Sequence, residues 1–403
     1  MFDGLVTRVP IYTSELDLYG YDLRFCSANS LQDQVRDDDS TLGNLLIRAS
    51  ENVSLDKITG HNPSFVKMPG ELLNNDMILV WPKDQIVLNI TEELVQEQQQ
   101  CSNVRQLASQ GYRFSLESQS ISSYFNNISE CASFWSLDAG SVDEEVAVEL
   151  TDLKKNGVSL LAKNVETLAQ FNLVKKLGFN FFQGPYFEKP KLVSNLQIPA
   201  NRIAALNLIA RLQDPDIPIS EVEKLVGQDV TLSYKLLRLI NSAFFGLPKR
   251  VDSIQRAVIF FGFQRIKNWA SVLIINSTDY KPKELLVTSL VRARTCELLA
   301  KEIKQKNLES FYIAGLFSVL DAIMDIPMEK ILERLNLVPE IDQALLEKSG
   351  IIGEILQSTL DLEQGQYHQS GNLPIETGIA FNAYLDAIAW ASALTQQTTE
   401  SES

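Results

Sequence analysis

A chain of 403 residues with 45% hydrophobic side chains is long enough for two domains, or one large barrel with an appendage, and too apolar for wholesale disorder. Its net charge of −15 argues against a general affinity for nucleic acid or anionic membrane, which needs clustered positive charge. Four separated cysteines (Cys26, Cys101, Cys131, Cys296) and two solitary histidines (His61, His368) offer neither a C-x-x-C pair nor converging zinc ligands.

Met1–Gly4 lacks the basic start and apolar stretch of a signal peptide, and no apolar run has the length of a bilayer span. The expectation is a cytoplasmic chain with reduced thiols and no membrane insertion.

Up to about residue 195, short β-like runs alternate with helical stretches. Strands are expected at Leu5–Ile11, Tyr19–Phe25, Phe65–Met68, Gln85–Ile90, Tyr112–Leu116, Ser133–Leu137, Ser159–Ala162 and Phe179–Phe182. Helices are expected at Thr91–Ser109, Val142–Lys155 and Val165–Leu177, with Gly111, Gly157 and Gly178 placed to end them before the next strand. Ser27–Ser40, with its Asp37-Asp38-Asp39 run, reads as a solvated loop. Such alternation predicts a parallel sheet closed or covered by helices.

Asn195–Asn201 has no clear periodicity and is the expected linker. Beyond it the period is helical: Arg202–Leu212, a helix opened by the S-x-x-E box of Ser220–Glu223, Thr231–Ala243, Ile254–Phe261 capped by Ser253, a break at Gly262, then Gln264–Ile275. Further helices are expected at Glu284–Lys304, Leu308–Leu320, Met328–Leu335, Ile341–Lys348, Ile352–Leu360 and Gly378–Leu394. The fold class is α/β plus all-α: a TIM-like (β/α) barrel domain at 1–195, in a shortened form if need be, followed by an all-helical domain at 196–403.

Several fragments carry a family resemblance in order: Arg8–Ile11, Gly20–Phe25, Gln85–Ile90, Gly111–Glu117, Ser136–Asp138, Leu160–Thr167 and Gln183–Gly184. Together they resemble the EAL domain, a barrel that hydrolyses cyclic di-GMP, in the form fused to an HDOD domain. The resemblance implies two divalent cations held by carboxylates. It aligns Asp22 with the signature glutamate, Lys67 with a ligand asparagine, Asn89 with a ligand glutamate and Glu117-Ser118 with paired aspartates. Ser136 stands for a lysine, with Asp138 close by, and Lys163 for an acid; Glu166 and Gln183 are retained, and Cys26 replaces a phosphate-gripping arginine. The resemblance therefore implies a degenerate barrel whose cations would be repelled, and the missing arginine argues against cyclic di-GMP binding.

Asp214-Pro215, Asp229–Leu232, Leu236–Ala243, Ile254–Gly262, Ala314–Asp321 and Ala387–Ala391 resemble the HDOD domain, a helical relative of HD metal phosphohydrolases. Ser318-Val319 stands near the expected His-Asp pair, which excludes an HD metal site. Asn241 and Ser242 serve either as a helix end or, with Ser318 and Asp321, as part of a partner-binding face. A helix-turn-helix around Gly262 has only Arg265 and Lys267 for phosphates, so no nucleic acid is expected.

The leading expectation is a non-catalytic signalling adaptor, not an enzyme, with no metal and no cofactor. Its partners would be signalling proteins, a second copy of itself among them. The alternatives are a residual metal-dependent cyclic di-GMP phosphodiesterase using Asp22, Glu117, Asp138 and Glu166, and a sensor that binds cyclic di-GMP without cleaving it.

Overall fold

The structure, a computed structural model, describes residues 4–27, 39–52, 54–74, 81–118, 128–143, 150, 154, 157–190, 200–214, 216–228, 230–242, 245, 247, 251–276, 282–335, 337–365 and 373–399. It divides into two compact units. The first comprises Met1–Glu188 with Asp361–His368 and Thr377–Phe381, and the second comprises Lys189–Leu360 with Gln369–Glu376 and Asn382–Ser403.

The first unit is a closed eight-stranded barrel in sequential order. Its strands are β1 (Gly4–Thr13), β2 (Leu18–Ser27), β3 (Ser64–Lys67), β4 (Ile86–Thr91), β5 (Arg113–Ser118), β6 (Ala132–Asp138), β7 (Ser159–Lys163) and β8 (Phe181–Phe182). All eight expected strands are present, but the all-parallel expectation is corrected at β1, which is antiparallel to both neighbours. Only Ser14–Asp17 join β1 to β2, a hairpin length that leaves no room for the crossover a parallel pair requires. The remaining neighbours, from β2 to β8, pair parallel.

Helices α1 (Asp39–Asn52), α2 (Leu55–Thr59), α3 (Gly70–Asn74), α4 (Gln98–Ser109) and α5 (Leu168–Lys176) accompany these strands. The first three lie outside the sequence expectations, and Asp39 opens a helix where a loop to Ser40 was expected. The expected helix from Thr91 is shorter, because Thr91 is still paired to Glu117 in the sheet and a short turn at Glu92–Val95 precedes α4. α5 begins at Leu168 because Thr167 caps it reciprocally with Gln170, a capping box. Most of the expected Val142–Lys155 helix, and residues 28–38 of the expected loop, lie outside the described residues.

The barrel interior changes character along its axis. Ile11, Phe65, Val87, Phe134 and Leu161 form a buried apolar cluster, with Tyr19 and Phe181 packed against it. Because side chains in a strand alternate faces, the next inward position is two residues further on. There the sequence supplies Lys67, Asn89, Ser136, Lys163 and Gln183. The apolar layer plugs the barrel, and the polar layer lies toward the carboxyl ends of the parallel strands.

The second unit is helical among its described residues: α6 (Ala200–Gln213), α7 (Ile219–Gln228), α8 (Val230–Ile240), α9 (Ile254–Phe261), α10 (Phe263–Asn276), α11 (Glu284–Glu302), α12 (Leu308–Phe317), α13 (Leu320–Met324), α14 (Met328–Leu332), α15 (Pro339–Glu347), α16 (Gly350–Gln364) and α17 (Thr377–Thr399), the last two shared with the first unit. Residues 200 and 201 are helical, so the expected linker ends earlier; its residues 195–199 lie outside the described residues. Ser220 is not the cap of α7. The carbonyl of Pro218 already accepts the amides of Glu221 and Val222, so the helix starts two residues sooner, at Ile219. Ser253 does cap α9, accepting the Arg256 amide at 3.3 Å. The expected Leu308–Leu320 helix breaks after Phe317, where Ser318 Oγ turns back to the Gly315 carbonyl at 2.7 Å.

Candidate functional site

The Leu160–Thr167 stretch and the segment that begins at Gln183–Gly184 are joined by the backbone. Gln183 N donates to Ala162 O at 2.8 Å, Val165 N to Gln183 O at 2.9 Å, and Tyr186 N to Val165 O at 3.0 Å. A Cβ on Gly184 would stand 2.3 Å from Val165 N, so this crossing requires glycine. Gln183 and Lys163 are thereby held at one end of the barrel.

Asp22, on β2, is the centre of the polar layer. Its Oδ1 accepts from Asn89 Nδ2 at 3.3 Å and its Oδ2 from Gln183 Nε2 at 3.2 Å. The Lys163 ammonium lies 3.1 Å from Asp22 Oδ2 and 3.0 Å from Glu117 Oε1. Asp22 and Lys163 keep only 8% and 12% of their side-chain surface, whereas Glu117 keeps 34%. Burial opposes the charge on Lys163, but the two carboxylates outweigh it and hold its pKa above the ordinary lysine value. Each amide that serves Asp22 has one buried oxygen, Asn89 Oδ1 and Gln183 Oε1, without a hydrogen-bond partner among the described residues.

The other expected positions are dispersed. Ser136 Oγ pairs with Ser115 Oγ at 2.7 Å, both buried. Ser118 Oγ accepts from Trp135 Nε1 at 3.2 Å. Asp138 accepts from the Gly140 amide at 2.8 Å and from Asn164 Nδ2 at 2.7 Å, holding the loop after β7. Lys67 is exposed and its charge acts on Glu93. Glu166 is exposed, its backbone amide donating to Gln170. Cys26 is half-buried on β2, across from Leu5 on β1. Sequence reasoning placed Lys163 in this mouth but did not find its ion pairs. It also passed over Ser115 and Asn164, which only the strand register brings alongside Ser136 and Asp138.

A pair of divalent cations does not fit these residues as they stand. The two mouth carboxylates already share an ammonium, and no group of three or more His, Cys, Asp or Glu is placed to hold a metal among the described residues.

In the helical unit, the Asn241 side chain bonds to backbone among the described residues. It donates to Leu237 O at 2.7 Å and Val251 O at 2.6 Å, and accepts from Val251 N at 2.7 Å, tying the end of α8 to the chain before α9. Ser242 Oγ is buried without a partner among the described residues. Ser318 Oγ accepts from Arg292 Nη1 at 3.3 Å. Burial raises the Asp321 pKa against the pull of the Ala322 amide and of Arg292. Lys348 is lowered by burial first and by Arg292 second, with Asp321 opposing. Ser318, Asp321, Arg292 and Lys348 thus form one charged cluster. His61 is exposed and pairs with Asp56 at 3.2 Å, and His368 lies outside the described residues.

Residues 198–334 match the HDOD domain model. The helical unit contains an HDOD domain. Over 370 residues the chain is 28% identical to a cyclic di-GMP phosphodiesterase, CdgJ of Vibrio cholerae, spanning 90% of this chain and 85% of that one. It is 25% identical over 398 residues to the uncharacterized protein YuxH of Bacillus subtilis, spanning 96% and 97% of the two chains. Among solved structures it is similar to the FimX EAL domain from Pseudomonas aeruginosa bound to c-di-GMP, at 14% identity and a TM-score of 0.37, covering 46% of this chain and 89% of that one. The chain is therefore related to cyclic di-GMP phosphodiesterases, with a barrel followed by an HDOD-containing helical unit. The expectation that it is not an enzyme is corrected: the similarity to CdgJ over most of the chain points to one. No helix among the described residues is long and apolar enough to cross a membrane.

Proposed function

We propose that this chain acts in bacterial cyclic di-GMP signalling. In this reading the barrel mouth receives the dinucleotide, and protein contacts of the barrel and the HDOD unit carry the output. The observation that carries it is the Asp22–Lys163–Glu117 cluster at the carboxyl ends of the strands, where (β/α) barrels present their reactive groups. Two N–H groups of Lys163 are spent on the carboxylates, and the third is left for a phosphate oxygen. Asn89 Oδ1 and Gln183 Oε1 are buried acceptors that a ligand N–H or O–H satisfies. The relationship to CdgJ supplies the ligand class.

Calorimetry and thermal-shift titration with cyclic di-GMP test this on the full chain, with linear dinucleotide product measured in the same samples. Saturable binding to the wild type that is lost in Lys163→Met supports the reading, and product formed by the wild type and not by Lys163→Met would assign hydrolysis to the same mouth. Absence of heat, of thermal shift and of product would sink it.

A further inference from the structure

The mouth holds an unusual set of oxygen donors for a site whose cation is a side chain. Asp22 and Glu117 present carboxylate oxygens 3.1 and 3.0 Å from one nitrogen, and Asn89 Oδ1 and Gln183 Oε1 are buried acceptors left without a donor. Carboxylate and amide oxygens are the ligands hard divalent cations choose, at sites where negative charge offsets the ion. Here that offset is already spent: the ammonium holds a charge within contact distance of both carboxylates. A dication approaching the same oxygens meets a positive charge that is tethered to the chain and cannot diffuse away. The amides bonded to Asp22 do not change this balance, since Asn89 and Gln183 are neutral.

We infer that Lys163 is a tethered counter-ion that keeps divalent cations out of the barrel mouth, and that Asp22, Glu117 and Asn89 become a Mg²⁺ or Mn²⁺ site once that charge is removed. The inference rests on reading the mouth as the ligand site. It adds that the native mouth is occupied without regard to divalent-cation concentration. The cation stays bound to the chain, so ligand affinity follows the nucleotide alone.

Electron paramagnetic resonance of free Mn²⁺, titrated with full-length protein in the absence of nucleotide, decides it. Wild type and Lys163→Arg, which keeps the charge, should leave the free Mn²⁺ signal unchanged. Lys163→Met should bind Mn²⁺ at least about tenfold more tightly than wild type, a gain of about 1.4 kcal/mol, and should lose it again in the Lys163→Met/Asp22→Asn double variant. Lys163→Gln repeats the test should the methionine variant not fold. Wild-type protein that binds Mn²⁺ and loses it on Asp22→Asn overturns the inference, as does a folded Lys163→Met or Lys163→Gln with no gain. The titration contains no nucleotide, so a failure of dinucleotide binding leaves its outcome distinct.

Discussion

Lys163 shows how a single residue's meaning depends on what faces it. The sequence places it where the family resemblance implies an acid, and Asp22, Asn89 and Gln183 fall in the same motif series. Their contacts span 67 and 161 residues of chain, Asn89 and Gln183 both meeting Asp22, so only the barrel register reveals that they converge. The ion triad makes a pH prediction. A lysine whose pKa is higher in the folded state than in the unfolded chain contributes stability that is complete below the unfolded value, about 10.4. That contribution fades only as pH rises through the raised folded value. The stability gap between wild type and Lys163→Met, about 3 kcal/mol because Asp22 would be left buried without its cation, should stay flat from pH 7 to about pH 10 in urea unfolding and shrink above it. A gap that closes by about pH 9 would mean that burial defeats the carboxylates. A second residue makes the opposite point about exposure. Cys296 is fully buried beside Thr359 Oγ1 at 3.3 Å, and burial pushes its thiol up to about 12. It should resist alkylation by iodoacetamide at pH 8 in the folded protein and react on unfolding, with peptide mapping as the readout; fast native labelling would contradict that burial.

At the scale of elements, alternation made the barrel legible and length limited the rest. Each of β3, β4, β6 and β7 steps from an apolar residue to a polar one two places on, as in Phe65 to Lys67 and Leu161 to Lys163, a period-two signal visible in sequence. The antiparallel start was legible only in the short stretch between the first two expected strands, residues 12–18, which is too short for a parallel crossover, and not in their residue pattern. α2 and α3 have five residues each, too few to display a helical period. In the helical unit the periodicity located α11 and α12 but not their distance of approach. That distance depends on Gly315, where a Cβ would meet Arg292 O at 2.5 Å and Ala293 Cα at 2.6 Å. Both obstacles are backbone and cannot rotate away, so Gly315→Ala should destabilise the protein by about 2 kcal/mol through overpacking. Gly227, inside α7 with nothing among the described residues within 4 Å of its Cβ position, supplies the control. Gly227→Ala should instead stabilise by about 0.5 kcal/mol, the helix preference for alanine over glycine. Urea midpoints that move the same way for both would remove the packing argument.

For the whole molecule, the barrel's unit is not one continuous stretch of chain. A linear reading cuts the sequence once, giving 1–195 and 196–403, because the pattern changes from strand–helix alternation to continuous helix near that point. The compact units are cut differently: the first ends at Glu188 and takes back Asp361–His368 and Thr377–Phe381 from the far end of the chain. No sequence signal distinguishes these returning pieces. Leu362, Ala380 and Phe381 are buried on helices whose apolar periodicity matches that of their neighbours, and periodicity says that a face is covered without saying by what. Within the first unit the contact is specific at Gly365, where a Cβ would come 3.4 Å from Cys26 Sγ and 3.8 Å from Thr7 Cγ2, at positions on β2 and β1. A fragment of residues 1–195 therefore lacks part of the barrel unit's own core. Burying a leucine or phenylalanine side chain is worth about 1.5–3 kcal/mol, so losing the cover of Leu362 and Phe381 costs the barrel at least about 3 kcal/mol. For a unit of this size that corresponds to roughly 10 °C of melting temperature. Near-ultraviolet circular dichroism follows the barrel through Trp81 and Trp135, both buried, although the full chain also carries tryptophans in the helical unit. Trp269→Phe and Trp390→Phe in the full chain confine the signal to the barrel. Against that reference the fragment should melt about 10 °C lower, and adding a peptide of residues 359–383 should recover part of the loss. A fragment that melts with the full chain's barrel, indifferent to the peptide, would place the functional boundary back at residue 195 and make the returning segments accessory to it.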